Sequence, residues 1–88
     1  MSSQAPGFTF PGTFEISAMG PAEAGLEQLV PELLALAGLG IETQSVRVRP
    51  SRAGRYVSVT IRFEANTRAE YEAAHEALRA HPDVKWTL

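Results

Sequence analysis

Hydrophobic and polar residues alternate strictly along 46–49 and again along 56–63, on either side of the short turn Pro50-Ser51-Arg52-Ala53-Gly54. Successive side chains of a strand point to opposite faces, so the stretch reads as two half-buried strands joined as a hairpin. A glycine near the end of a short loop between two such runs supports this reading. In the run 42–49, Val46 and Val48 face in while Arg47 and Arg49 face out. In the run 55–64, Val57, Val59, Ile61 and Phe63 take one face; Tyr56, Ser58, Thr60 and Arg62 take the other. A third alternating run, 13–19, sets Phe14, Ile16 and Ala18 against Glu15, Ser17 and Met19, and Gly20-Pro21 stops it. A fourth, 84–88, sets Val84, Trp86 and Leu88 against Lys85 and Thr87.

Two segments follow helical spacing instead. Leu26, Leu29, Val30, Leu33, Leu34 and Ala37 form one continuous stripe, which predicts a helix over 22–37. Pro31 lies inside it on the solvent side. A proline removes an amide donor and clashes with the carbonyl four residues back, so the helix is expected to kink or break near Val30–Pro31 with its stripe intact. Gly38 and Gly40 supply the stop. Thr67-Arg68-Ala69-Glu70 is a capping box, in which the Thr67 hydroxyl takes the Glu70 amide and the Glu70 carboxylate reaches back to the Thr67 amide. Tyr71, Ala74, His75 and Leu78 mark the buried stripe of this second helix, and His81-Pro82-Asp83 ends it.

The order β-α-β-β-α-β, with short connections, predicts an α+β ferredoxin-like sandwich: a four-stranded antiparallel sheet with both helices on one face. The other face is left open, and right-handed crossovers put the first and third strands in the centre. Residues 10–88 make a single domain. Residues 1–9, small, polar and bearing Pro and Gly, read as a flexible N-terminal segment in which Phe8 is an apolar anchor, with Phe10 just beyond it.

Composition narrows the chemistry. The chain has 88 residues, a net charge of −2, a pI near 5.6 and no cysteine. Thiolate nucleophiles, disulfides and thiolate metal sites are therefore excluded. An acidic domain is a poor general binder of nucleic acid, although a local basic face is compatible with it. No apolar run approaches a membrane span, and no basic-then-apolar leader is present, so a cytoplasmic protein is expected.

Several stretches also carry a family likeness. Phe10-Pro11, Phe14, Met19-Gly20, then Arg49-Pro50-Ser51-x-x-Gly54-x-Tyr56-x-Ser58-Val59-Thr60, then His81-Pro82-x-Val84-Lys85 and Leu88 resemble the YbeD-like family of small bacterial proteins. The resemblance spans 10–88. It implies a βαββαβ fold similar to the regulatory domains called ACT, which bind small effectors and pair with one another. It implies no settled activity. Pro31 departs from the family's uninterrupted first helix.

The strongest lead to function is the open sheet face. On this reading Arg47, Arg49, Arg62 and Lys85 share it with Tyr56, Ser58, Thr60 and Ser17, and Glu15 is the one clear opposing charge. The plain account is a solvated sheet with Arg–Glu cross-strand pairs. The sharper one is a surface for an acidic protein partner or a small anionic ligand, which arginine grips with a planar fork. The turn around Ser51 and Gly54 offers amides to an anion, or is simply a hairpin turn with Gly54 at positive φ. Gly20-Pro21 opens onto a helix N-terminus, the region where ACT-like domains take effectors; an ordinary strand-to-helix turn accounts for it equally.

RNA recognition requires aromatics at alternate positions of the central strands. Here Tyr56 is followed by Ser58, and the first strand shows Glu15 and Ser17. His75 sits in an apolar stripe, His81 in a loop, and neither has metal-ligand spacing. No nucleophile–base–orienter set or phosphate loop is present, so no catalytic residue, metal or cofactor is expected. The expectation is a non-enzymatic regulatory or adaptor domain binding a protein partner or small anionic effector, with homodimer formation left open. An RNA-binding module on the same face is the alternative.

Overall fold

The computed structural model describes residues 9–88; except for Thr9, the lead-in expected over 1–9, Phe8 included, lies outside the described residues. The elements run β1 (Gly12–Pro21), a 3₁₀ turn (Ala22–Ala24), α1 (Leu26–Leu36), β2 (Gly40–Pro50), β3 (Tyr56–Ala65), α2 (Arg68–Arg79) and β4 (Trp86–Thr87). The sheet order is β2-β3-β1-β4, antiparallel throughout. This is the ferredoxin-like arrangement, with β1 and β3 central as expected.

The core forms where the even residues of β1 and the odd residues of β3 meet the helix stripes. Phe63, Ile16, Leu26, Leu34, Ile61, Leu78, Val30 and Val59 are its largest fully buried side chains. Each such burial stabilises the fold by about 1.5–3 kcal/mol. At one end Phe10 docks rather than standing in solvent: its ring lies 5.3 Å from Phe14 and 6.3 Å from Tyr71.

Three local expectations need correction. The first helix does not break at Pro31; α1 runs continuously from Leu26 to Leu36 with Pro31 inside it. The interruption comes earlier, at Gly25, whose φ of 72° separates α1 from the 3₁₀ turn. The helix ends in a Schellman motif: Leu39 N–H donates to the Leu34 carbonyl, Gly38 N–H to that of Ala35, and Gly38 has φ 85°. Second, β2 begins at Gly40, and its register shifts between Glu42 and Arg47, so the alternation is interrupted by a bulge. The Ser45 hydroxyl fills the gap, accepting from the Arg62 amide at 2.8 Å and donating to the Glu42 carbonyl at 2.6 Å. Val48 does oppose Val59, yet stays 41% exposed on this edge strand. Third, the capping box closes one residue early: Thr67 takes the Glu70 amide, but the Glu70 carboxylate accepts from Asn66 N–H at 2.8 Å.

Gly20 and Gly54 separate two uses of glycine. A Cβ on Gly20 would collide with the Asp83 carbonyl oxygen and lie 2.9 Å from Leu26 Cδ1. One on Gly54 would meet nothing within 4 Å, but Gly54 has φ 76°. Gly20→Ala is expected to cost about 3 kcal/mol, because backbone must yield. Gly54→Ala should cost about 1 kcal/mol from the left-handed conformation alone. Urea unfolding reads both. Emission from Trp86, the single tryptophan, should shift in the native state of Gly20→Ala only.

Candidate functional site: the open sheet face

Strand register assigns every side chain on the face away from the helices, since paired residues of antiparallel strands project to the same side. From the hairpin end the rows are Tyr56 beside Pro21; Arg49, Ser58, Met19 and Trp86; Arg47, Thr60, Ser17 and Leu88; Glu42, Arg62 and Glu15; then Gly40, Glu64 and Thr13. Leu88 joins its row through reciprocal backbone bonds with Ser17 of 3.1 and 2.9 Å.

The lower half is a charge lattice. Arg47 Nη2 lies 3.3 Å from Glu15 Oε2, Arg62 Nε lies 3.7 Å from the same oxygen, and Arg62 Nη1 lies 3.7 Å from Glu42 Oε1. Each such exposed pair contributes under about 1 kcal/mol. The expected excess of positive charge is not there. Glu42 and Glu64 share the face with Glu15, so three carboxylates balance Arg47, Arg49 and Arg62. Arg49 has no ion pair among the described residues. In the middle rows Ser17 and Thr60 share a 2.7 Å hydroxyl–hydroxyl bond, and Ser58 lies beside Met19.

The upper half is apolar, which the sequence pattern did not suggest. Lys85 is not on this face. Its amide donates to the Met19 carbonyl at 2.8 Å, which sets it opposite Gly20 on the helix side, and its Nζ donates to the Pro82 carbonyl at 3.0 Å. Trp86 pairs with Met19 and therefore faces outward, 58% exposed, with Leu88 beside it at 84%. The alternation of Val84, Trp86 and Leu88 misleads because Val84 precedes the strand. Its amide bonds the His81 carbonyl in a turn, so its burial says nothing about the parity of β4.

Trp86 leans across Met19 toward Tyr56, the rings meeting edge to face at 6.1 Å and 71°. Beneath them lie two small depressions. One, of about 120 Å³, is bounded by Met19, Arg49, Pro50, Ser51, Tyr56, Val57 and Ser58; the other by Ser17, Ala18, Met19, Ser58, Trp86 and Leu88. The face thus has arginines along its β2 edge, hydroxyls in the middle and large apolar side chains along its β4 edge.

Ser51, Gly54 and Gly20 have structural work at their positions. Ser51 N–H donates to the Tyr56 carbonyl, its hydroxyl accepts from the Tyr56 amide, and Gly54 N–H donates to the Ser51 carbonyl. Three polar groups that an anion in the turn would have used are committed to closing it. Gly20 gives the Asp83 backbone room to approach β1.

Residues 5–88 match the family described as "Protein of unknown function (DUF493)". UPF0250 proteins of Xanthomonas axonopodis pv. citri, Stenotrophomonas maltophilia and Xylella fastidiosa are 58%, 54% and 51% identical over 82 residues, 93% of this chain and 89% of each relative. The chain belongs to this family. These are the YbeD-like small bacterial proteins. The solution structure of protein HP0495 from H. pylori superposes with a TM-score of 0.75 over 98% of this chain and 90% of that one, at 15% identity. At that identity the likeness bears on the fold alone.

Away from the sheet, this YbeD-like chain places His75 on α2 against Tyr71, ring centroids 5.1 Å apart. Nε2 is sealed from solvent without a partner among the described residues. Glu72, Glu76 and Arg79 surround the same hollow. Burial, and secondarily the Arg79 charge, holds the imidazole below its ordinary value of 6.5. The unfolded chain therefore binds a proton that the folded chain resists. The resulting stability is fully present above pH 6.5 and is lost as pH falls through the lowered value. Urea midpoints should drop on acidification through this window, and the drop should shrink in His75→Gln.

Proposed function

We propose that this domain is a non-enzymatic, cytoplasmic regulatory or adaptor module that binds a protein partner through the upper half of its open sheet face. The observation that carries the reading is the Tyr56–Trp86 pair beside Met19, with Leu88 next to it and, across the sheet, Arg49, which has no ion pair among the described residues. Tyr, Trp, Met and Arg are the residues that protein interfaces concentrate, because they bury large area with a polar handle. A small anionic effector is supported less well. A hollow of about 640 Å³ over Ser17, Arg47, Arg49, Ser58 and Thr60 is large enough for one, but Val48 is its one apolar wall, whereas pockets that hold small ligands are lined chiefly by apolar and aromatic side chains; the depression beside Tyr56 holds about 120 Å³.

RNA gains an aromatic from the outward turn of Trp86. The 71° angle between Trp86 and Tyr56, and the three carboxylates on the same face, favour a protein surface instead.

The test is affinity capture from a native lysate by wild type and by the double variant Trp86→Ala with Arg49→Glu, with Glu32→Lys on the exposed helix side as control. The double variant should lose the captured protein and the control retain it. Undiminished capture by the double variant would sink the proposal. Capture that disappears on ribonuclease treatment would transfer the face to RNA.

A further inference from the structure

The open face is complementary to itself. A twofold axis lying in the plane of contact, parallel to the strands and midway between β3 and β1, sets β2 of one copy over β4 of the other, and β3 over β1. The rows then meet in register. Arg62 of each copy faces Glu15 of the other, in the row that already pairs them within one sheet. Arg49 faces Trp86 and Arg47 faces Leu88, so guanidinium planes and aliphatic stems cover the exposed apolar column. Ser58 meets Met19, and Thr60 meets Ser17. No like charges oppose each other. An axis perpendicular to the strands fails this comparison: through the middle row it sets Arg47 over its own copy and Trp86 over the empty lane beyond the short β4.

We infer that the occupant of the open face is a second copy of this chain, packed sheet against sheet; this rests on reading that face as a docking surface. With strands about 4.8 Å apart, the five rows that face each other on β3 and β1 and the two on β2 and β4 give roughly 450 Å² of flat contact per copy. That is well below the roughly 800 Å² per partner of standard stable interfaces, so the dimer is reversible. A partner protein would compete with the second copy for Trp86 and Arg49.

Sedimentation equilibrium from about 5 µM to about 500 µM should show a concentration-dependent dimer. Glu15→Arg and Arg62→Glu, each alone, should weaken it at least about tenfold, because each places like charges face to face. An equimolar mixture of the two variants should restore it, since every altered side chain then meets its opposite on the other copy. Trp86→Ala should weaken it too. Both charged side chains are half-exposed, and the mixture reports pairing without depending on either variant's own stability.

Three results would overturn the inference: a wild-type monomer at the highest concentration, a dimer indifferent to all three substitutions, or single variants that weaken it without rescue on mixing. If the protein is monomeric while lysate capture still depends on Trp86 and Arg49, the second copy is excluded and the hetero-partner reading stands.

Discussion

The unbroken pairing of β1 with β3 governs everything else in this fold. Ten consecutive residue pairs, Gly12–Ala65 through Pro21–Tyr56, run without a bulge. Side chains alternate with a period of two, so a slip of one residue would exchange the buried and exposed sets. Ile16, Val59, Ile61 and Phe63 are all fully buried on one side of this ladder. The hydrophobic cost of exposing them holds the register, and the register in turn places Glu15 beside Arg62 and Met19 beside Ser58 on the other side. The open face is ordered by the core, not by its own weak surface contacts.

That dependence explains which parts were legible in the sequence. β1 and β3 are long and buried on one face, so their alternation is a direct record of the structure. β4 has two residues, and its orientation is inherited from hydrogen bonds to β1 rather than from its own pattern. The alternation of 84–88 consequently exchanges the faces of Lys85 and Trp86. The bulge in β2 escaped for a similar reason: residues 43–46 depart from the ladder, and a serine hydroxyl substitutes for a strand contact. Pro31 shows propensity overridden by packing. Leu26, Val30 and Leu34 anchor the helix on both sides of it, and their burial outweighs the lost backbone bond.

The charge pattern also reads differently once faces are assigned. Counting arginines along 46–63 suggests a basic surface, but the strand register adds the carboxylates of Glu42 and Glu64 to the same face. Three exposed pairs worth under about 1 kcal/mol each do not hold a domain of this size together. Their effect is on the field of the face: its charges balance, so its attraction for a polyanion is weak, while its exposed apolar area lies in the upper half. Arg49 has no carboxylate partner on the face, and it sits in the same row as Trp86.

Gly20 links the fold to that surface. Its missing Cβ lets the Asp83 carbonyl approach β1, and the next residues, Val84 and Lys85, carry the chain into the β4 lane with Lys85 bonded to Met19. Only then does Trp86 fall opposite Met19 and turn outward. A side chain at Gly20 would push the Asp83 backbone away from the sheet, and the displacement would reach Trp86 three residues later. The effect of Gly20 on that surface is therefore positional. It lies on the helix side of the sheet, but the apolar column of the open face stands where it does because position 20 leaves room for a backbone carbonyl.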